Sequence, residues 1–125
     1  MWQWTNVATH YVFPVTEERL VLPRLVAPLM GRQADEAKIS EALPVIDYHL
    51  QQVDKRLADS RFLAGDAVSL GDLFMYPVID ATCAAPQGKK LVSALNRLSF
   101  WYGELGARNS ARQTAWPDPA SFIAD

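Results

Sequence analysis

The sequence predicts an all-α fold, one helical bundle of about five to six helices. Three observations carry that prediction. Between Glu36 and Ala58 the apolar residues Ile39, Leu43, Ile46, Leu50, Val53 and Leu57 recur at alternating steps of four and three, which lines them along one helical seam. Val68 to Leu73 spells out a complete helix start. No sustained apolar/polar alternation is bounded by Asn-Gly or Asp-Gly, so strand signals are weak.

Each element has its own local reason. Near the N-terminus, Trp2 to Tyr11 reads as a helix that Pro14 bends or interrupts. Thr16, Glu17 and Glu18 are placed to restart it toward Leu29, with Pro23 and Pro28 making its later part irregular. Asp35 is the expected N-cap of the Glu36–Ala58 helix, and Pro44 is expected to kink it. Ser69 and Asp72 have the spacing of a capping box, and Val68 and Leu73 that of a hydrophobic staple around it. The helix that follows runs past Pro77 toward Cys83 and is apolar on several sides, which places it at the centre of the domain. Gly88 to Leu98 reads as another helix. Ser99 is the expected cap of a short helix holding Trp101, Tyr102 and Leu105, and Ser110 to Gln113 reads as a further capping box. The tail from Trp116, with Pro117 and Pro119, reads as irregular.

Size and composition narrow the function. The 125 residues suit a single domain, 1–125, and 50% hydrophobic residues are enough to bury a core. Twelve basic and 14 acidic residues give a formal net charge of −2, which offers no electrostatic case for nucleic acid or an anionic membrane surface. Cys83 is the single cysteine, so neither an internal disulfide nor a cysteine-rich zinc site is expected. No signal peptide or transmembrane-length apolar run is visible, and the expected location is cytoplasmic.

Few residues invite chemistry. Ser69 and Asp72 could pass for a catalytic pair, but their spacing assigns them to folding, where such a cap contributes about 1 kcal/mol. His10 and His49 sit on different predicted helices, and neither has the partner one turn away that a metal site needs, so no metal is expected. Cys83, in a mostly apolar helix, reads as an inert core thiol. Arg19 and Arg24 read as a solvated face. Gly88-Lys89-Lys90 lacks the spacing of a phosphate loop.

The segment Phe62-Leu63-Ala64-Gly65-Asp66-Ala67-Val68-Ser69-Leu70-Gly71-Asp72-Leu73 resembles the signature of the helical C-terminal domain of cytosolic glutathione transferases, in which a capping box and staple start the central buried helix. Leu98 to Arg108 resembles the family's L-x-x-W-x-x-x-L-x-x-R-P stretch. Gln3-Trp4 through Pro14 resembles the first helix of bacterial and plant-type members. The order of these pieces covers essentially the whole chain. Asn109 stands where the family usually has proline, Gly71 where alanine is common, and Asn6 and Ala8 where some relatives carry acids.

The resemblance implies the apolar-substrate half of an enzyme that adds glutathione to apolar electrophiles. Glutathione is the co-substrate in that family, and tight binding to this chain alone is not expected. The family's catalytic residue and its glutathione-holding residues lie in a preceding thioredoxin-like domain, which no part of these 125 residues resembles. No catalytic or cofactor-binding residue is therefore assigned, and this chain alone is expected to be inactive. The first helix and the C-terminal tail flank the apolar pocket in the family, which makes His10, Tyr11 and Trp116 pocket candidates. The implied partners are a hydrophobic small molecule, a thioredoxin-like domain and a second subunit in a homo-oligomer. The alternative reading is a non-enzymatic binding or assembly module of the same fold.

Overall fold

A computed structural model describes residues 2–115 and 117. The chain is helical without a break from Trp2 to Leu29, here helix α1. It is followed by α2 (Glu36–Arg56), α3 (Leu70–Ala84), α4 (Pro86–Ser93), α5 (Asn96–Gly106) and α6 (Asn109–Gln113). The described residues form no strand, only an isolated antiparallel bridge between Phe62 and Gly65. The all-α bundle predicted by the sequence is the fold observed.

Of the two outcomes expected at Pro14, a bend or an interruption, the interruption does not occur, since α1 is continuous through it. The helix changes pitch instead. It is π-helical over Ala8–Val12, just before Pro14, and again over Glu17–Val26, which contains Pro23. A proline cannot donate its backbone N–H, and its ring collides with the carbonyl one α-turn back. A wider turn moves that carbonyl away and lets the helix continue. Threonine hydroxyls supply donors along this irregular stretch: Thr9 donates to the Thr5 carbonyl at 2.6 Å and Thr16 to the Val12 carbonyl at 2.8 Å.

Helix α2 starts where the sequence places it, with the Asp35 carboxylate accepting from the Lys38 N–H at 3.2 Å. It passes through Pro44, and its seam of Ile39, Ile46, Leu50 and Val53 is buried. Arg24 of α1 forms a bidentate pair with Glu36 at 2.8 and 2.6 Å, holding the end of α1 to the start of α2. The segment between α2 and α3 turns back at Gly65, whose φ of 149° suits glycine. Arg56 Nε donates to the Leu63 carbonyl at 2.8 Å and fixes this turn to the end of α2.

Helix α3 is the centre of the bundle and packs on α1, α4 and α5. Its capping box is present, and Asp72 does much more than cap. The Asp72 side chain is wholly buried. Its Oδ2 accepts from the Ser69 N–H at 2.9 Å and from the Ser69 hydroxyl at 2.8 Å. Its Oδ1 accepts from the Leu63 N–H at 3.0 Å and from Trp101 Nε1 at 2.8 Å. One carboxylate thus joins the preceding turn, the start of α3 and the middle of α5. Val68 is half-buried against the core, whereas Leu73 is 48% exposed on the outer side of α3.

The chain turns from α3 into α4 within a very tight corner. A Cβ on Gly88 would lie 2.0 Å from the Thr82 carbonyl oxygen, so only glycine lets α4 approach α3 this closely. The predicted helix from Gly88 to Leu98 is instead divided. Helix α4 ends at Ser93 and α5 begins at Asn96, with Leu95 at the N-cap and Ser99 inside the helix. The reason is a cap supplied from a distance: Asp54 Oδ1 of α2 accepts from the Leu98 N–H at 2.9 Å. The Ser110 capping box is also corrected. Arg108 occupies the N-cap of α6, no side chain caps that helix, and Ser110 lies within it.

Two stability predictions follow from these contacts. Asp72→Ala leaves several buried donors without an acceptor, and urea denaturation is expected to show a loss of at least about 3 kcal/mol. Asp72→Asn keeps one acceptor oxygen and is expected to lose about half as much. A loss near 1 kcal/mol for the alanine variant, the typical value of a simple cap, would contradict the four-donor arrangement. Gly88→Ala forces α4 off α3 and is expected to lower stability by about 1–3 kcal/mol in the same assay.

Candidate functional site

Two clefts stand out on the described surface. The larger, about 660 Å³, lies between α1, α3, α4 and α5. Its apolar wall comes from Val21, Leu25, Val26 and Leu29 of α1, Ala81 and Ala84 of α3, and Val92 of α4, with Pro117 also on the lining. The second π-helical segment of α1 supplies Glu17, Val21, Leu25 and Val26, so the altered pitch shapes this wall directly. Helix α3 contributes Asp80, Cys83 and Ala84, which follow Tyr76 at helical spacing and share one stripe.

A compact polar cluster sits in this apolar cleft. The Tyr102 hydroxyl of α5 donates to Asp80 Oδ1 of α3 at 2.5 Å. The Tyr102 and Tyr76 rings stack with centroids 5.5 Å apart and planes 20° apart. Burial, followed by the bond to Asp80 and its charge, pushes the Tyr102 hydroxyl far above the usual phenol range. Tyr76 is raised as well, first by burial and then by Asp80. Burial and the Asp80 charge push the Cys83 thiol up to about 11, with Tyr102 and Lys89 pulling partly the other way. Glu17, half-buried on the facing wall, is also raised by burial. Cys83 is therefore a neutral thiol at physiological pH and lacks the thiolate a nucleophile needs.

The smaller cleft, about 560 Å³, lies between α1 and α2. It is lined by Gln3, Trp4, Val7 and Tyr11 on one side, and by Tyr48, His49, Gln52, Lys55, Arg56 and Asp59 on the other. The His49 ring meets Tyr48 edge-on at 5.5 Å and Tyr11 at 6.4 Å. Burial lowers the His49 pKa, so the ring favours its neutral form.

Of the sequence-derived pocket candidates, His10 and Tyr11 do not line the larger cleft. Tyr11 is 59% exposed and lines the smaller cleft. His10 is exposed, lines neither cleft, and lies 3.2 Å through Nδ1 from the Thr9 hydroxyl. Trp116 lies outside the described residues. Among the described residues, no cluster of three or more His, Cys, Asp or Glu is arranged to hold a metal, and no helix is long and apolar enough to cross a membrane. Asp80 and Glu17 are the cleft residues that sequence reasoning missed. The Tyr76, Asp80 and Cys83 spacing puts Asp80 on the stripe of the cysteine, but nothing local shows that Tyr102 of α5 closes onto it.

The raised thiol gives a direct chemical expectation. Iodoacetamide is expected to alkylate Cys83 at neutral pH about a hundredfold more slowly than it alkylates glutathione, because so little thiolate is present. The folded thiol pKa lies above the ordinary value of 9.0, so its stabilising effect is full below pH 9.0 and fades as the pH rises toward about 11. Alkylation at the rate of a free thiol would show that the thiol is not buried as described.

The profile of the glutathione S-transferase C-terminal domain matches residues 8–109. Glutathione S-transferase 4 of Zea mays is 31% identical over 112 residues, covering 90% of this chain and 49% of that protein. Glutathione S-transferase F10 of Arabidopsis thaliana is 33% identical over 115 residues, covering 90% and 52%. Among solved structures, glutathione transferase F7 from Populus trichocarpa superimposes with a TM-score of 0.84 at 25% identity, over 91% of this chain and 53% of that one. Glutathione S-transferase III in its apo form gives 0.85 at 26% identity, over 94% and 56%. The chain thus spans about half the length of the relatives it matches. It belongs to the glutathione S-transferase family, over the helical C-terminal domain.

Proposed function

We propose that this chain is the electrophile-binding half of a glutathione transferase and that its larger cleft takes the apolar substrate. The observation that carries this reading is the cleft itself: about 660 Å³, set between α1, α3, α4 and α5 and walled largely by aliphatic side chains. The family resemblance implies an apolar pocket beside the first helix, and α1 forms one wall of this cleft. A solved glutathione S-transferase-I, similar in fold over 90% of this chain, is bound with the ligand lactoylglutathione.

Glutathione does not suit this cleft. It carries two carboxylates and one ammonium at neutral pH, a net negative charge, and the described lining presents Glu17 and Asp80 against one exposed lysine, Lys89. The conjugation step is therefore assigned to residues of a thioredoxin-like domain, which would hold the glutathione thiolate at the mouth of the cleft. On this reading the chain binds and orients the electrophile and excludes water from it. The smaller, more polar cleft holding Tyr11 is assigned to packing against a further domain or subunit. A reducing cytoplasm suits the single thiol.

The reading is tested with the chain alone and in a chimera. Alone, it is expected to bind naphthalene-type probes in calorimetry and to give no glutathione-dependent conjugation of 1-chloro-2,4-dinitrobenzene above the uncatalysed rate. Joined behind the thioredoxin-like domain of a plant relative, it is expected to gain turnover. Turnover by the chain alone would overturn the assignment of the chemistry to another domain. A folded but inactive chimera would instead support the non-enzymatic module.

A further inference from the structure

The larger cleft has an electrical sign. Glu17 from α1 and Asp80 from α3 are both half-buried on its lining, and neither has an ion-pair partner among the described residues. Tyr102 gives its only hydroxyl hydrogen to Asp80, so toward any further partner its oxygen can only accept. Ser93 and Ser99 are neutral and can either donate or accept. Among the described residues Lys89 is the only cation on the lining, and it is exposed.

These groups do not cancel. An exposed ammonium is screened by water and salt, whereas partly dehydrated carboxylates act on a bound molecule through less solvent. An apolar molecule with a carboxylate end would bring like charge against Glu17 and Asp80 and lose its own hydration. An apolar molecule with an ammonium end would meet charged acceptors and the Tyr102 oxygen. The aliphatic wall then receives the apolar body in either case, so the charged end decides.

We infer that the cleft selects apolar amines over apolar carboxylates. The inference rests on the reading of this cleft as a ligand site, and the test separates the two. Calorimetry of the full chain at low ionic strength would compare 1-naphthylmethylamine, 1-naphthalenemethanol and 1-naphthoate, which share one ring system and differ in charge. The amine is expected to bind about tenfold more tightly than the carboxylate, which corresponds to about 1.4 kcal/mol, with the alcohol between them. Glu17→Gln and Asp80→Asn are each expected to narrow that gap to about threefold. Glu17→Gln touches no described hydrogen bond, so it decides the matter if Asp80→Asn loosens Tyr102. A carboxylate that binds as tightly as the amine overturns the selectivity, as does a tenfold gap that survives Glu17→Gln. If the alcohol binds and the gap is absent, the selectivity alone falls. If none of the three binds, the ligand-site reading falls with it.

Discussion

The arrangement of this bundle depends on the buried carboxylate of Asp72. A carboxylate with no water around it is tolerated only when donors surround it. Here they come from three separate parts of the chain: Leu63 in the turn after α2, Ser69 at the start of α3, and Trp101 in α5. The stabilising role is thus mutual. Asp72 fixes the entry of α3, and the same oxygens set how deeply α5 sinks, since Trp101 can reach Oδ1 only when its indole is fully buried. A hydrophobic contact at this point would tolerate sliding, whereas directed hydrogen bonds admit one arrangement.

The position of α5 carries directly into the larger cleft. Two carboxylates from other helices hold α5: Asp54 caps its first turn through the Leu98 N–H, and Asp72 holds Trp101. Tyr102 follows Trp101 in the chain and faces a different side of the helix, toward Tyr76 and Asp80. The bond from Tyr102 to Asp80 therefore forms where the core contacts have already placed α5. The opposite wall is set by different means. Proline-induced widening of α1 carries Glu17 through Val26 along the cleft, and the glycine corner at Gly88 brings Lys89 and Val92 close to α3.

Most of the fold was legible because its signals are local. The seam of α2, the Asp35 cap and the Ser69–Asp72 box each depend on residues within one or two turns of one another. The misread boundaries share a different cause. Ser99 looks like a cap by composition, but α5 is capped by Asp54, 44 residues earlier in the chain. Pro14 allows either a bend or a stop, because stops and pitch changes share the same local signature, and packing against α2 and α3 decides between them. The cleft was less legible still. Resemblance directed attention to aromatic and histidine side chains at the start of α1, whereas the polar cluster depends on a tyrosine of α5 meeting an aspartate of α3, 22 positions apart.

That cluster also bears on how a two-substrate reaction would divide its labour. Glutathione is an anion, and an apolar cleft next to its thiolate would be vulnerable to occupation by glutathione itself if its walls were basic. The walls here are acidic where they are partly dehydrated, with Glu17 and Asp80 facing the same space. On the function proposed above, this sign opposes entry of the anionic co-substrate while leaving the aliphatic surface open to the electrophile. Separation of the two substrates would then need no gate or moving segment, because the charges fixed on α1 and α3 by the core would act before any contact forms.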